Sequence, residues 1–220
     1  PTAPYWAAVN RRSWEEVNDR AMSFGVDVTV PVSSSKIKFG AFGEGKTTGY
    51  NVRHFDITPD YQHNYLLADS IARLPIDVIY LQDHYGTGKM LFAEASKATD
   101  SYKGDQSLYA GYLMGDVPVD ILDNKFRFVG GARVEHFVQN VDVPKTLGDN
   151  PEYFSNQLSN VDLLPSLNVT YLMNSVTNIR FAYSHSVDRP QFRERAISGF
   201  YDFITYETVG GNPDLRRSLI

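Results

Sequence analysis

The sequence predicts an all-β fold: an antiparallel, up-and-down segment of a transmembrane β-barrel with about six strands in three hairpins. Apolar and polar residues alternate at period two in several segments, as in strands whose two faces meet different surroundings. Short and long links also strictly alternate, which would place all tight turns at one rim of a sheet and all long loops at the other. A soluble β-sandwich usually mixes its link lengths more evenly.

The composition restricts the class of protein. The chain is 42% hydrophobic and 13% aromatic, which is too apolar for a disordered chain. Its net charge of −5 disfavours a broad nucleic-acid-binding surface. The sequence contains no run of about 18 apolar residues, so it predicts no transmembrane helix. The mean hydropathy of −0.32 suits a barrel in which lipid-facing and lumen-facing residues alternate. Cysteine is absent, which excludes disulfides and thiolate zinc sites.

The first hairpin is predicted within residues 22–44. Every second residue of segment 22–32 is apolar, and the residues between them are mostly small or polar. After a turn at Ser33-Ser34-Ser35, the apolar positions resume at Ile37, Phe39 and Ala41. Two alternating segments joined by a short turn indicate a β-hairpin.

Two further hairpins follow the same pattern. The second joins residues 108–119 to residues 126–135 across Leu122-Asp123-Asn124-Lys125, and the third joins residues 163–173 to residues 179–183 across Asn174-Ser175. In residues 108–119 the predicted apolar face consists of Leu108, Ala110, Tyr112 and Met114. In residues 126–135 the predicted apolar face runs from Phe126 to Val134.

The predicted long links are residues 46–104, 140–160 and 188–217. In the first link, residues 66–74 predict a short helix ended by Pro75, and the apolar residues that follow indicate a structured cap. Pro165 lies inside the fifth predicted strand, where proline cannot donate a ladder hydrogen bond. It is therefore expected to mark a bulge or the start of that strand.

From Ser107 onward, six segments resemble consecutive parts of the barrel of TonB-dependent receptors, in the order that family has them. They are Leu108-Tyr109-Ala110-Gly111-Tyr112, residues 128–135, residues 164–168 (with the proline at 165), residues 180–184, residues 188–194 and Gly211-Asn212-Pro213-Asp214-Leu215. Before Ser107, only the pattern of strands and long loops matches. The resemblance implies an outer-membrane barrel of about 22 strands with a plug domain inside. Such a receptor imports a scarce ligand with energy passed on from the inner membrane.

The resemblance also sets the expected domain organisation and partners. Residues 1–220 are expected to be a fragment of the barrel domain, without the plug or the energy-coupling box, and residues 1–6 do not predict a signal peptide. The implied partners are a small imported ligand of the siderophore, cobalamin or glycan class, the plug and remaining strands, the energy-coupling protein TonB through the missing part, and the lipid bilayer. No nucleic acid, cofactor or enzymatic activity is expected. The alternative is a soluble secreted or periplasmic all-β binding module.

The densest cluster of charge is at residues 188–195. Arg189, Arg193 and Arg195 are candidate ligand contacts at the outer mouth, because a guanidinium binds carboxylate or phosphate in a forked geometry. The preferred interpretation is an ion-pair network among Arg193, Glu194, Asp188 and neighbouring strands. Further ligand-facing candidates lie in the first long link, at His84 and Lys89.

Strand parity predicts a set of charged residues that face the barrel lumen and contact the plug or one another: Arg127, Arg133, Glu135 and Arg180. A set of aromatic residues is predicted to form girdles at the membrane interfaces, although packing in a soluble sheet explains them almost as well: Tyr109, Tyr112, Phe126, Phe128, Tyr171, Phe181 and Tyr183.

Two motifs resemble catalytic or metal sites only in part. Gly86-Thr87-Gly88-Lys89 is followed by Met90, whereas a phosphate-binding loop needs Ser or Thr there and a further glycine upstream. A group of imidazoles and carboxylates shares one loop but lacks tight ligand spacing, so no metal site is expected from His54, Asp56, His63, Asp83 and His84.

Overall fold

A computed structural model describes residues 10–122, 124–202, 204–205 and 207–220. The prediction for residues 1–6 and the predicted turn position Asp123 lie outside these residues.

The fold is dominated by one antiparallel sheet that curls into half a barrel. Its strands are β1 (Asn10–Val32), β2 (Ser35–Pro59), β3 (Met90–Glu94), β4 (Tyr102–Ile121), β5 (Asn124–Pro144), β6 (Tyr153–Leu172) and β7 (Asn178–Ser184). Six of them pair in chain order, and the short β3 pairs only with the far end of β2. The predicted all-β class, six strands and three hairpins are confirmed.

The strands are longer than predicted, so two of the predicted long links were too long. Residues 46–59 belong to β2, and the link predicted at residues 140–160 shrinks to residues 145–152 because β5 continues to Pro144 and β6 begins at Tyr153. In β2 and β6, residues 46–48 and 155–157 are polar on both faces, whereas in β5 Val141 and Val143 still alternate with Asn140 and Asp142. The backbone ladders of β2 and β6 therefore continue where the apolar alternation has ended.

The tight turns lie at one rim of the sheet, here called the turn rim, and the longer links lie at the opposite loop rim. Val32 pairs with Ser35, which leaves a two-residue turn. Ser33 (φ 54°) and Leu122 (φ 48°) adopt the left-handed conformation that tight hairpin turns require. The links at the loop rim are residues 60–101, residues 145–152 and the segment after β7.

Each face of the sheet has a distinct character. The apolar face carries large exposed side chains on all six long strands, including Met22, Phe24, Val30, Phe39, Leu113, Val134, Leu163, Phe181 and Tyr183. The opposite, polar face carries charged side chains such as Asp27, Asp116, Arg133, Glu135 and Asp162. This two-sided pattern is continuous from β1 to β7.

The predicted apolar face of β4 was wrong. Tyr112 pairs with Arg133 and its hydroxyl donates to Asp27, so it lies on the polar face. Leu113 pairs with Ala132 and lies on the apolar face with Tyr109 and Val117. Both sets of alternate residues in β4 are rich in apolar side chains. Hydrogen-bond register with β5, which alternation in β4 alone does not reveal, decides which set faces which way.

Pro165 is accommodated without a bulge, and β6 begins twelve residues before it. His185 donates its backbone N–H to the Pro165 carbonyl at 3.0 Å, so the Pro165 backbone points away from β5 and toward the β7 side. A strand residue directs its N–H and C=O to the same side. The missing donor therefore faces the point where the β6–β7 ladder ends at Ser166–Ser184, and the β5–β6 ladder stays intact.

The first link folds into a cap on the loop rim. Helix α1 (Tyr65–Ala72) confirms the predicted short helix; the Asn64 side chain accepts a hydrogen bond from Leu67 N at 3.1 Å, and Pro75 starts the single-turn helix α2 (Ile76–Ile79). Ile71 and Ile79 pack with Ile57 and Met90 in a small apolar core. Within the described residues, no helix has the length and apolar character needed to cross a membrane.

Candidate functional site

The segment after β7 leaves the sheet and folds over the polar face. Two short strands close its base, because β8 (Val187–Asp188) pairs with β11 (Ser218–Leu219), and Ser186 and Ile220 exchange two backbone hydrogen bonds of 2.9 Å. Between them lie α3 (Phe192–Arg195) and the hairpin of β9 (Gly199–Asp202) and β10 (Glu207–Gly210). We call the described residues of the segment 186–220, which leaves out 203 and 206, the strap.

An apolar contact holds α3 of the strap on the main sheet, here called the wall. Phe192 and Ala196 pack against Tyr102 of β4 and against Val141 and Val143 of β5, and all five residues are buried. This cluster lies on the polar face, near the loop rim. At this point α3 therefore covers the loop-rim ends of β4 and β5 on that face.

Beneath the base of the strap, two buried carboxylates lie side by side. Glu135 of β5 and Asp162 of β6 are direct cross-strand partners. Arg189 bridges them, with Nη1 2.8 Å from Glu135 and Nη2 2.7 Å from Asp162. Arg133 binds Glu135 at 2.6 Å, and Arg217 binds Asp162. Three guanidiniums thus compensate two buried carboxylates, which is the condition for burying such charges.

Arg195 of the strap is deeply buried, with only 2% of its surface exposed. Its Nη1 donates to the Gln139 side-chain oxygen at 3.0 Å, and its Nη2 donates to the Pro213 carbonyl at 3.3 Å. The Gln139 amide nitrogen in turn donates to the Pro190 carbonyl at 3.0 Å. Burial lowers the pKa of Arg195 below its usual range. Its contacts connect the two limbs of the strap, residues 186–196 and 211–220, to β5.

The predicted ion-pair network joined Arg193, Glu194, Asp188 and neighbouring strands. The ion pairs with neighbouring strands include those of Arg189 with Glu135 and Asp162 on the wall. Glu194 accepts a hydrogen bond from Gln191 N at 2.7 Å and so caps the start of α3. Arg193 is exposed at the edge of the strap.

A cavity of about 560 Å³ separates the strap from β1, β2 and β4. Its charged lining consists of Asp19, Glu44, Lys46, Arg189 and Arg193, and its apolar lining includes Val17, Leu108 and Phe192. Lys46 Nζ lies 3.8 Å from Asp19, which also accepts a hydrogen bond from Thr48. Lys46 also lies over the Phe192 ring, 5.8 Å from its centroid. The cavity therefore presents both signs of charge beside an aromatic ring.

The other two ligand candidates, His84 and Lys89, lie in the cap and are not brought together with the arginines of the strap. His84 Nδ1 lies 2.8 Å from the Val78 carbonyl oxygen, and Lys89 Nζ donates to the Asp83 carbonyl at 2.6 Å. Both side chains are half-buried. They support the local fold of the cap.

The Gly86-Thr87-Gly88-Lys89 motif forms a turn fastened by a carboxylate. Gly86 (φ 129°) and Gly88 (φ 74°) adopt conformations that favour glycine. Gly88 N donates to Asp60 Oδ2 at 2.9 Å, and His63 Nδ1 lies 2.8 Å from the same oxygen. These hydrogen bonds, first that from Gly88 and then that from His63, lower the pKa of Asp60. The motif positions Met90 for packing in the cap.

The four charged residues selected by strand parity all lie on the polar face. Arg133 and Glu135 belong to the network beneath the strap. Arg127 makes a two-pronged ion pair with Asp116, at 2.8 and 2.6 Å, near the turn rim. Arg180 is exposed on β7, opposite Thr170.

The residues considered for a metal site lie in separate contacts. His54 Nδ1 is 2.7 Å from the Ser13 hydroxyl, and Asp56 pairs with Arg11 at 2.6 Å. Over the described part of the chain, no three His, Asp or Glu side chains form a group that could hold a metal ion.

The most important residues that the sequence did not single out are Asp162, Gln139 and Arg217. Asp162 shares its strand face with the polar residues Asn160 and Ser166, so strand alternation places it on the polar face. Its position opposite Glu135 follows only when the register of β5 and β6 is known. That register depends on the length of the link between them, which the sequence did not define.

The comparisons with known proteins agree with the geometry. A comparison with curated proteins finds no match. A family model described as TonB dependent receptor-like, beta-barrel, matches residues 6–218, nearly the whole chain. That family consists of outer-membrane receptors with a role in transport. This chain therefore belongs to the β-barrel family of TonB-dependent receptors.

Proposed function

We propose that this chain forms part of the wall and the outer loops of an outer-membrane receptor that binds and imports a scarce ligand of the siderophore, cobalamin or glycan class. In this proposal the apolar face contacts lipid and the polar face lines the lumen, where Arg127, Arg133, Glu135 and Arg180 lie. The imported ligand, the plug, the remaining barrel strands and TonB are its partners.

The observation that carries the proposal is the exposed apolar face. Met22 is 83% exposed, Leu113 60% and Phe181 63%, on three strands spread across the sheet. Soluble proteins rarely expose apolar surface this continuously. Residues 22–32 of β1 span ten steps, which is about 33 Å along the strand and about 23 Å along the membrane normal at a tilt of about 45°. That height agrees with the apolar band of outer-membrane barrels, roughly 25 Å.

The loop rim is then the extracellular end of the receptor. Of the five ligand-facing candidates, we assign direct ligand contact to Arg193, because it is exposed and lines the cavity. Arg189 and Arg195 support the site by holding the strap through their contacts with wall residues. His84 and Lys89 shape the cap above it.

Topology labelling tests the proposal. The 220 residues contain no cysteine, so Leu147→Cys in the link 145–152 and Val176→Cys in a tight turn introduce single thiols at positions 70% and 90% exposed. We expect a membrane-impermeant maleimide to label Leu147→Cys in intact cells, and to label Val176→Cys only after the outer membrane is permeabilised. The protein without either substitution is the control.

Two results would contradict the proposal. Labelling of Val176→Cys but not Leu147→Cys in intact cells would show the reverse orientation. Recovery of the protein in the soluble periplasmic or secreted fraction without detergent would favour the alternative of a soluble binding module.

A further inference from the structure

The strap is fastened to the wall at three places along its length. At its base, Arg189 and Arg217 bind the wall carboxylates. Beyond the base, Arg195 binds Gln139, and Phe192 enters the apolar cluster. These contacts fix residues 189–196 and Arg217 to the wall.

One carboxylate holds both limbs of the strap. Arg189 directly follows β8, near the start of the strap, and Arg217 directly precedes β11, near its end. Both side chains bind Asp162. The Asp162 side chain has no exposed surface, so water does not compete for it. Electrostatic attraction is stronger in such surroundings, and removal of the carboxylate would take this partner from Arg217 and leave Arg189 bound to Glu135 alone.

The two limbs are also fastened to each other. A Cβ at Gly211 would lie 2.0 Å from the Ala196 carbonyl oxygen, so the limbs approach as closely as only glycine permits. Asn212 N donates to the Glu194 carbonyl at 2.7 Å, and Arg195 reaches the Pro213 carbonyl. The strap therefore behaves as one folded unit.

We propose that the strap is a fixed internal partition, latched by Asp162, which keeps the wall residues beneath it closed to solutes and remains in place when the receptor is energised. The inference rests on the proposed function, because the polar face borders a lumen only in a barrel. The protected region is the stretch of β5 from Phe137 to Val143, where alternate side chains are buried. The ligand then passes on the side of the strap that faces the cavity at Arg193.

Two neighbouring positions on the loop side of β5 provide the test. Val143 is fully buried beneath the strap, and Leu147, four residues further, is 70% exposed. Single-cysteine variants Val143→Cys and Leu147→Cys of the complete receptor are treated with an impermeant maleimide in energised cells and in cells treated with a protonophore. We expect Val143→Cys to be labelled at least about tenfold more slowly than Leu147→Cys in both conditions. Ala196→Cys, on the buried underside of the strap, serves as a second protected position.

The latch is tested by adding Asp162→Asn to Val143→Cys. We expect labelling to accelerate at least about tenfold, because loss of the shared carboxylate weakens the hold of the wall on both limbs and makes local opening more frequent. Asp116→Asn is the matched control: it removes a polar-face carboxylate that pairs with Arg127, away from the strap. Resistance of the folded barrel to unfolding in detergent confirms assembly. If Asp162→Asn does not assemble, Arg217→Gln, which removes one limb's contact and leaves Arg189 bound, takes its place.

The outcomes separate the two proposals. Failure to label Leu147→Cys in intact cells contradicts the topology and hence the proposed function. Labelling of Leu147→Cys and Val143→Cys at equal rates, or faster labelling of Val143→Cys in energised cells, overturns the fixed partition while the topology stands. If an assembled latch variant protects Val143→Cys as well as Asp116→Asn does, Asp162 is not the latch.

Discussion

The carboxylates of Glu135 and Asp162 are direct cross-strand partners that bind the same guanidinium, that of Arg189. Without this cation, two neighbouring buried acids would repel each other and lose hydrogen-bond partners. We expect Arg189→Gln to lower the free energy of unfolding by about 3 kcal/mol. Urea unfolding in lipid vesicles, followed by the fluorescence of Trp6 and Trp14, measures the change. Arg127→Gln, at an exposed ion pair, is the control and should have a much smaller effect; equal effects would refute the special role of Arg189.

The apolar face predicts a one-sided response to added charge. Leu113 lies in the middle of this face on β4, and Met114 is its neighbour on the polar face. We expect Leu113→Arg to destabilise the assembled barrel by about 2–4 kcal/mol, because arginine at the bilayer midplane must be desolvated. Met114→Arg should be tolerated. Unfolding in vesicles and the amount of protein in the outer membrane provide the measurements, and equal tolerance of both would exclude lipid contact at Leu113.

The junction of β2 and β3 should depend on pH at the acidic end. Glu94 binds Arg53 at 2.9 Å and accepts a hydrogen bond from Ser96; these contacts, first that with Arg53, lower its pKa to about 2. Because the folded pKa lies below the ordinary value of 4.5, the stabilisation is complete above that value and is lost as pH falls toward 2.

Hydrogen exchange of the β3 amides, corrected for intrinsic rates, tests this between pH 6 and pH 2. We expect the protection of these amides to decrease as the pH falls from 6 to 2. In Glu94→Gln the decrease should be smaller, because the titration of Glu94 no longer contributes to it. Asp56 and Asp60 also have lowered pKa values and titrate in the same range, so the comparison with Glu94→Gln isolates one carboxylate. An unchanged profile in Glu94→Gln would refute its contribution.

The cap depends on Asp60, which accepts hydrogen bonds from Gly88 and His63. Replacing Asp60 with alanine leaves the Gly88 N–H without its acceptor and removes the fastening of the turn. We expect protease added outside the cells to cut residues 60–101 several times faster in Asp60→Ala, while the barrel stays assembled. Asp77→Ala in α2 of the same cap is the control, and equal cleavage of both variants would contradict a specific role for Asp60.

The turn at Leu122 carries a local conformational cost. Leu122 is 90% exposed and has a φ of 48°, where a side chain other than that of Gly, Asn or Asp is disfavoured. We expect Leu122→Asn to raise the free energy of unfolding by about 1 kcal/mol. Val176→Asn, at an equally exposed turn position without a positive φ, should have no such effect. A neutral or destabilising Leu122→Asn would show that the turn is not strained.

The hairpins could be predicted from the sequence because their apolar faces alternate over five or more positions. The faces of β4 could not, since Tyr112 and Leu113 are both large and largely apolar, and only pairing with Arg133 and Ala132 distinguishes them. The ends of β2 and β6 near the loop rim also escaped prediction, because a backbone ladder needs no apolar pattern to continue.

The candidate site was predictable in part. The cluster of arginines at residues 189–195 was visible, but its partners were not: Glu135, Gln139 and Asp162 lie 27 to 56 residues away in the chain. Only the register of β5 and β6 aligns them beneath the strap. Spacing along the chain carries no information on contacts of that kind.

At Gly104 the wall has a recess rather than a contact. A Cβ there would lie 2.4 Å from the Phe192 ring, so the strap occupies space that β4 gives up by having no side chain at this position. Wall and strap are therefore matched in shape at two positions 88 residues apart. In relatives of this receptor, we expect a side chain at the Gly104 position to be accompanied by a smaller residue at the Phe192 position, so that the pair is inherited as a unit.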